Sequence, residues 1–218
     1  KKNIKIIEDA SESMGSFLAL SSPSIKQHSG TLGDIGCFSF NANKIITTGA
    51  GGAIITSSKK IYEKIQHIST QAKKDAIKFI HDEVGYNMKL NNISASIGIS
   101  QFKVFKKILQ KKKHIHKYYK KHINKLNNFK VINPPTFSES NYWINLIKIN
   151  HRNSKKFKDH VINKFFEENI QVRPVWYPNH LQKKMLKFQK YRLNNFQNYF
   201  DTTICIPSGY NLKKYELD

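Results

Sequence analysis

The stretch Cys37–Thr56, CFSFNANKIITTGAGGAIIT, decides how the rest of the sequence is read. Apolar alternation runs into a small polar turn that contains one lysine, Lys44. TTGAGG and a second apolar run come next. Both apolar runs have strand length, and the glycines supply backbone freedom and exposed N–H groups between them. The chain is rich in lysine, and nearly all of it should lie in water. A single lysine held between two buried strands therefore calls for a chemical reason.

Working outward, Ile4–Ala10, IKIIEDA, reads as a buried strand ending in carboxylates. Asp9 then stands at the carboxyl end of one strand, and Lys44 in a turn just after another. Sites in open α/β sheets gather at such edges. A plain salt bridge accounts equally well for this pair taken alone. ASESMGS reads as a turn or short helix, and Leu20–Gly33 as a polar loop. KKIYEKIQHIS reads as a helix, and the residues from Thr70 to Leu90 hold a long loop. NNISASIGISQFKVFKKILQ begins with asparagine caps and continues helical, with the long basic helix after it. The double proline Pro134–Pro135 should lie between elements, since neither residue can donate to a helix or a central strand. YWINLIKIN reads as a strand, SKKFKDHVINKFFEENI as a helix, QVRPVWYP as extended. Helical NNFQNYFDTTI and then CIPSG close the chain. Strand–helix–strand order in the second half predicts a small α/β domain after residue 110, so the expected division is 1–110 and 111–218.

The formal net charge is +22 over 218 residues, which raises nucleic acid or an anionic surface as a partner. The densest run, Lys103–Lys125, carries Val104, Phe105, Ile108, Leu109, Ile115, Tyr118 and Tyr119 at helical spacing. Its lysines then form the solvated back of an amphipathic helix, and no nucleic-acid motif accompanies them. No run of about twenty apolar residues is present, so no transmembrane helix is expected. No signal peptide is visible, and Cys37 and Cys205 lie far apart, which fits structural thiols in a reducing cytoplasm. Metal candidates are poor: HIH at 114–116 splits its histidines between helix faces, and HDE at 81–83 reads as loop. GAGG lacks the lysine and serine of a nucleotide-hydrolase phosphate loop.

EDASESMGS, GTLGDIGCFSFNANKIITTGAGGAIIT and HDEVGYNMKLNNISASIG resemble consecutive blocks of the DegT/DnrJ/EryC1/StrS sugar-nucleotide aminotransferases, continued by NYWIN, RPVW and IPSG in the right order. The resemblance implies a partial fold-type I (aspartate-aminotransferase-like) pyridoxal phosphate domain plus a small C-terminal α/β domain. It implies that Lys44 joins covalently to pyridoxal phosphate and then moves protons as general base and acid. Asp9 would pair with the pyridinium nitrogen, Glu12 would lie against the ring, and Ser39 would reach the phosphate. Asn87 of GYN would reach the phosphate in a partner subunit, making a homodimer with shared sites. Asn41 and Lys89 are implied at the sugar-nucleotide substrate. Ala42 and Ala50 stand where near relatives often carry glycine. Met88 and Lys89 stand where Tyr-Arg is common, and lysine lacks the guanidinium fork. The family carries a further half before IIEDA, so the chain is expected to be a piece of a longer protein. An inactive remnant is the competing expectation.

FNANKIITTGAGG resembles the branch that makes 4-amino-4,6-dideoxy sugars. ISTQAKKDAIKFIHDEVGYN and RPVWYPNHLQKKM are most similar to enzymes of the legionaminic acid and bacillosamine routes. That implies a UDP-linked 4-keto-6-deoxy-N-acetylhexosamine as substrate and glutamate as donor. Perosamine-forming enzymes, which use a GDP sugar, are the rival. A dehydratase subgroup carries histidine in place of the lysine, and Lys44 argues against it.

Overall fold

A computed structural model describes residues 4–19, 26–193 and 195–217. In chain order the first elements are β1 (Ile7–Asp9), β2 (Phe17–Ala19), β3 (Lys26–His28), β4 (Ile35–Ser39) and β5 (Gly52–Ile55). Next come α1 (Lys59–Ser69), β6 (Lys73–Asp75), β7 (Ile80–His81) and α2 (Asn92–Ile123). After them stand β8 (Phe129–Val131), β9 (Ser138–Glu139), β10 (Asn145–Ile149), α3 (Ser154–Glu167) and β11 (Arg173–Pro174). Two 3-10 turns, α4 (Phe196–Thr202), β12 (Thr203–Ile206) and α5 (Lys214–Leu217) complete the chain.

Residues fall into two compact units. One ends at Leu109 and takes back Pro134–Trp143; the other comprises Gln110–Asn133 and the chain from Ile144 onward. The first unit holds a sheet of order β1-β4-β5, a second of order β3-β2-β9, and the β6-β7 pair. Pro134–Trp143 belongs to it because β9 pairs antiparallel with β2, and because Asn141 is hydrogen-bonded to the segment after β1. Pro134 and Pro135 lie in irregular backbone.

The second unit is built on a four-stranded sheet, β11-β12-β10-β8, antiparallel throughout. Its centre is β12, which reads in the sequence as the tail of a helix. Helix α4 stops at Thr202, where a β-branched run takes over, and Ile204 is fully buried. Ile115 and Tyr119 of α2 pack with Val131, Ile147, Ile149 and Ile204 to form its core.

Four more features differ from the sequence expectation. β1 and β5, expected to be buried strands, are the edge strands of their sheet and leave Ile7 and Ile54 exposed. Lys26–His28 of the expected loop is strand β3; residues 20–25 of that loop lie outside the described residues. The two helical stretches after Asn91 are one helix of 32 residues, with Asn91 Oδ1 accepting from Ser94 N at 2.8 Å at its start. Its lysines are not all solvated: Lys112 is 5 % exposed, while Val104, expected in the core, is exposed. Lys112 Nζ donates to the Ser208 carbonyl at 2.7 Å, so the helix turns one cation inward to satisfy the chain end of β12.

Burial lowers the Lys112 pKa from 10.5 to about 8. Between those values the unfolded chain binds more protons than the folded one, so Lys112 makes stability rise with pH through that window. Denaturant unfolding of wild type and Lys112→Met at pH 8 and 10.5 should show wild type gaining on the variant by about 2 kcal/mol. Parallel pH profiles would count against a strained, buried ammonium.

Candidate active site

Strands β1 and β4 run parallel, with Ile7 opposite Ile35 and Asp9 opposite Cys37. Parallel strands end on the same edge, and Ala10 N extends the ladder to the Cys37 carbonyl at 2.9 Å. Asp9 and the chain leaving Ser39 therefore emerge together. β4 pairs antiparallel with β5, Ser39 opposite Gly52, and the intervening loop is pinned at its neck: Phe40 N donates to Gly51 O and Thr48 N to Phe40 O, both at 2.9 Å. Gly49 and Gly51 have φ of 82° and 95°, the left-handed region that favours glycine. Ala50 between them is outside that region, which is why alanine is tolerated there.

Lys44 owes its position to the three residues after it. Ile45 and Ile46 are 6 % and 1 % exposed and anchor the turn in the first unit's core. The Gln101 side chain of α2 grips Thr47 at both peptide groups, accepting from Thr47 N and donating to Thr47 O at 3.0 Å each. With its neighbours fixed, the Lys44 side chain is 11 % exposed and ion-paired to the Glu12 carboxylate. Its ammonium lies 4.7 Å from the centroid of the Trp143 ring, a cation–π distance. Trp143 Nε1 donates to Asn43 O at 2.7 Å, which ties the indole to the same turn.

Asp9 is held ionised. The Ser11 hydroxyl and the Ser11 N–H both donate to the Oδ1 of this exposed carboxylate and, with the Lys44 charge, hold its pKa below the usual carboxylate range. Ser39 closes β4, half-buried, with its Oγ accepting from Asn41 N at 3.3 Å. Asn41 is exposed and its amide reaches Asn43 Oδ1 at 3.5 Å.

The structure thus joins Glu12 and Lys44 by a direct ion pair, and the Lys44 charge reaches Asp9 through space, with Ser39 and Asn41 on the strand end and turn that lead to Lys44. On another segment, which brings Leu90 against Gly51, lie Asn87 and Lys89. Both are exposed on the segment after β7, where Asn87 bridges to Thr70 at the end of α1. Two groups went unseen in the sequence. Asn141, 4 % exposed, donates to Glu12 O at 2.7 Å and Met14 O at 3.0 Å, and its Oδ1 accepts from Trp143 N at 2.9 Å. Trp143 reads in the sequence as the start of a strand, but the strand begins at Asn145 and Tyr142 has a φ of 51°.

The donor set fits pyridoxal phosphate. A shielded primary amine is present at Lys44. Asp9 is ionised with both of its hydrogen bonds on one oxygen, which leaves Oδ2 for a protonated ring nitrogen. The Ser39 hydroxyl and the backbone of the glycine turn are the local donors for a phosphate.

Comparison with known proteins places these features in context. The model of the DegT/DnrJ/EryC1/StrS aminotransferase family matches residues 1–218. EpsN of Bacillus subtilis (strain 168), whose name describes a pyridoxal phosphate-dependent aminotransferase, is 32 % identical over 98 % of this chain and 54 % of its own length. GDP-perosamine synthase of Escherichia coli O157:H7 is 32 % identical over 87 % of this chain and 50 % of its own. The crystal structure of the aminotransferase TlmJ from Streptoalloteichus hindustanus superimposes with a TM-score of 0.86 at 19 % identity, covering 98 % of this chain and 56 % of TlmJ. The chain spans about half the length of the curated relatives it matches.

Asn141→Ala would strip two carbonyls of their donor and free the segments that carry Glu12 and Trp143. Unfolding experiments should register a loss of about 2–3 kcal/mol, and Asn141→Asp should lose at least as much, because a buried carboxylate cannot donate and is repelled by both carbonyls. A loss under about 0.5 kcal/mol, the range of ordinary surface changes, would show the amide to be dispensable.

Proposed function

This chain belongs to the DegT/DnrJ/EryC1/StrS aminotransferase family, and from that premise we propose that the whole protein moves an amino group from glutamate to C4 of a nucleotide-linked 4-keto-6-deoxy sugar. The product is a 4-amino-4,6-dideoxy sugar for surface glycan assembly, made in the cytoplasm. Among the described residues no helix is long and apolar enough to cross a membrane. One observation carries the reading: a shielded lysine amine sits between a carboxylate and an indole face, at the strand edge where an ionised aspartate also ends.

When bound, pyridoxal phosphate supplies an electrophilic carbon and a cationic ring that stabilises negative charge on the reacting carbon. The protein's part is proton management and orientation. Asp9 Oδ2 would accept a hydrogen bond from the ring nitrogen of the bound cofactor, and its lowered pKa would favour the protonated nitrogen. Lys44 Nζ must be neutral to react, and Glu12 is the group placed to take its proton. Lys44 Nζ would serve as the proton carrier of the site, with Trp143 shielding it from water. Ser39 and, from a second subunit, Asn87 would donate to the phosphate. Asn41 and Lys89 would meet the sugar nucleotide, Lys89 as a point charge on its phosphates.

For the nucleotide, the blocks around GYN and RPVWYPNHLQKKM favour a UDP-linked N-acetylhexosamine. A GDP sugar is the second reading, favoured by the 32 % identity to a GDP-perosamine synthase. Assay of the full-length enzyme with both 4-keto sugars separates them, and turnover of neither removes the substrate class.

Borohydride reduction of the cofactor-loaded full-length protein, with peptide mapping afterwards, should place the label on the peptide containing Lys44. A label on another lysine, or none, refutes the assignment. Asn87→Ala should weaken cofactor retention about tenfold, the value of one hydrogen bond to a charged group, without unfolding the subunit. Mixed dimers of Asn87→Ala and Lys44→Ala subunits should regain activity in one of their two sites. Mixed dimers that form without recovery would show that the two residues do not serve a shared site.

A further inference from the structure

The HDE motif at 81–83, a loop by its sequence, belongs to a cluster of charges outside the candidate active site. His67 and Lys64 lie three residues apart on one face of α1. His67 Nε2 is 2.6 Å from Asp82 Oδ1 and 3.5 Å from Glu83 Oε1, and Lys64 Nζ is 2.5 Å from both Glu83 oxygens. The ligand-type atoms of His67, Asp82 and Glu83 lie within 4.8 Å of one another, but the Lys64 ammonium already covers the Glu83 carboxylate. The cluster is closed by its own cation. Hydrogen bonding to His67 holds the Asp82 carboxyl below its usual range.

What the cluster spans gives it a purpose. After α1 the chain reverses through Gln71 and Ala72, which take φ of 71° and 49°, a left-handed pair without glycine. Each such residue costs on the order of 1 kcal/mol and persists only where its surroundings hold it. The returning segment is stitched to the end of the helix by Tyr86 N to Ile68 O at 2.7 Å, Met88 N to Ser69 O at 3.0 Å and Gln71 N to Tyr86 O at 3.1 Å. His81 Nδ1 contacts Gln71 O at 2.6 Å. The Thr70–Asn87 bridge lies among these bonds, and Lys89 comes two residues later.

We propose that His67, with Lys64, Asp82 and Glu83, is a proton-sensitive clasp that positions the segment 82–89, and with it Asn87, against the end of α1. His67 is a positioning residue, since it acts through the segment and touches no substrate. Its bearing on cofactor binding rests on the role proposed for Asn87. The charges facing His67 are Asp82 and Glu83 from the returning segment and Lys64 from its own helix, with Lys74 of β6 acting on Asp82. An imidazolium attracts both carboxylates, whereas a neutral ring keeps one hydrogen bond and loses the charge, so the clasp weakens as pH rises. Loss of the imidazolium charge is the event that weakens it.

Amide hydrogen exchange on the 218-residue chain reads this directly. Protection factors at Tyr86 and Met88, corrected for intrinsic exchange, should fall about fivefold in His67→Gln, the upper range for exposed ion pairs. They should fall similarly in wild type on raising the pH through the histidine range. His67→Arg should restore protection and make it independent of pH, and amides of β10 and β12 in the other unit should not respond. Unchanged protection in His67→Gln, or a loss spread evenly over the chain, overturns the clasp. Protection that rises on adding zinc ion and falls again with a chelator also overturns it, in favour of a metal site. In the full-length protein, lost protection with unaltered cofactor retention would support the clasp and refute the role given to Asn87.

Discussion

The candidate site depends on the parallel pairing of β1 with β4. A parallel pair brings two carboxyl ends to one edge, so the register that sets Asp9 opposite Cys37 also decides where the turn after Ser39 begins. The antiparallel return through β5 then fixes the length of that turn, and the buried Ile45 and Ile46 fix its direction. A one-residue slip in either pairing would flip the alternation of the strand that slipped and move the point at which the turn leaves the sheet. The amine could not then lie between Glu12 and Trp143.

Lys44, Lys112 and Lys158 leave the solvent in a chain of +22 formal charge, and their surroundings differ in kind. Lys112 and Lys158 donate to backbone carbonyls, Ser208 and Phe200, at 2.7 Å each, and serve the packing of the second unit. Lys44 instead meets an ionisable partner. A carbonyl can only accept a hydrogen bond, whereas a carboxylate can also take the proton itself. That difference in partner separates Lys44 from the two lysines that serve as donors to backbone carbonyls, and burial alone does not produce it.

Charge is used a third way at the end of α1. There the ion pairs are partly exposed, and individually each contributes little. Their value lies in joining a helix to a segment that has just passed through a strained reversal. Exposed electrostatics of this kind can respond to pH without disturbing either core. The sheet edge around Lys44 is by contrast set by backbone ladders and buried isoleucines.

The strands on either side of Lys44, helices α1 and α3, and the strand ending in Asp9 were legible in the sequence, because their signals are local. Alternation, helical spacing and a glycine turn each occupy fewer than about twenty residues. The motif blocks also identified the family, since their order along the chain is itself a sequence property. Tertiary structure alone decided the rest. β12 is central only because β10 and β11 flank it, and four residues of TICI carry no periodicity to announce a strand. Lys112 turns inward because a carbonyl 96 residues away needs a donor. Pro134–Trp143 rejoins the first unit, and Trp143 lies over Lys44, through hydrogen bonds that span 100 residues or more. A local pattern records what a segment can bury. It does not record which distant group will be there to be satisfied.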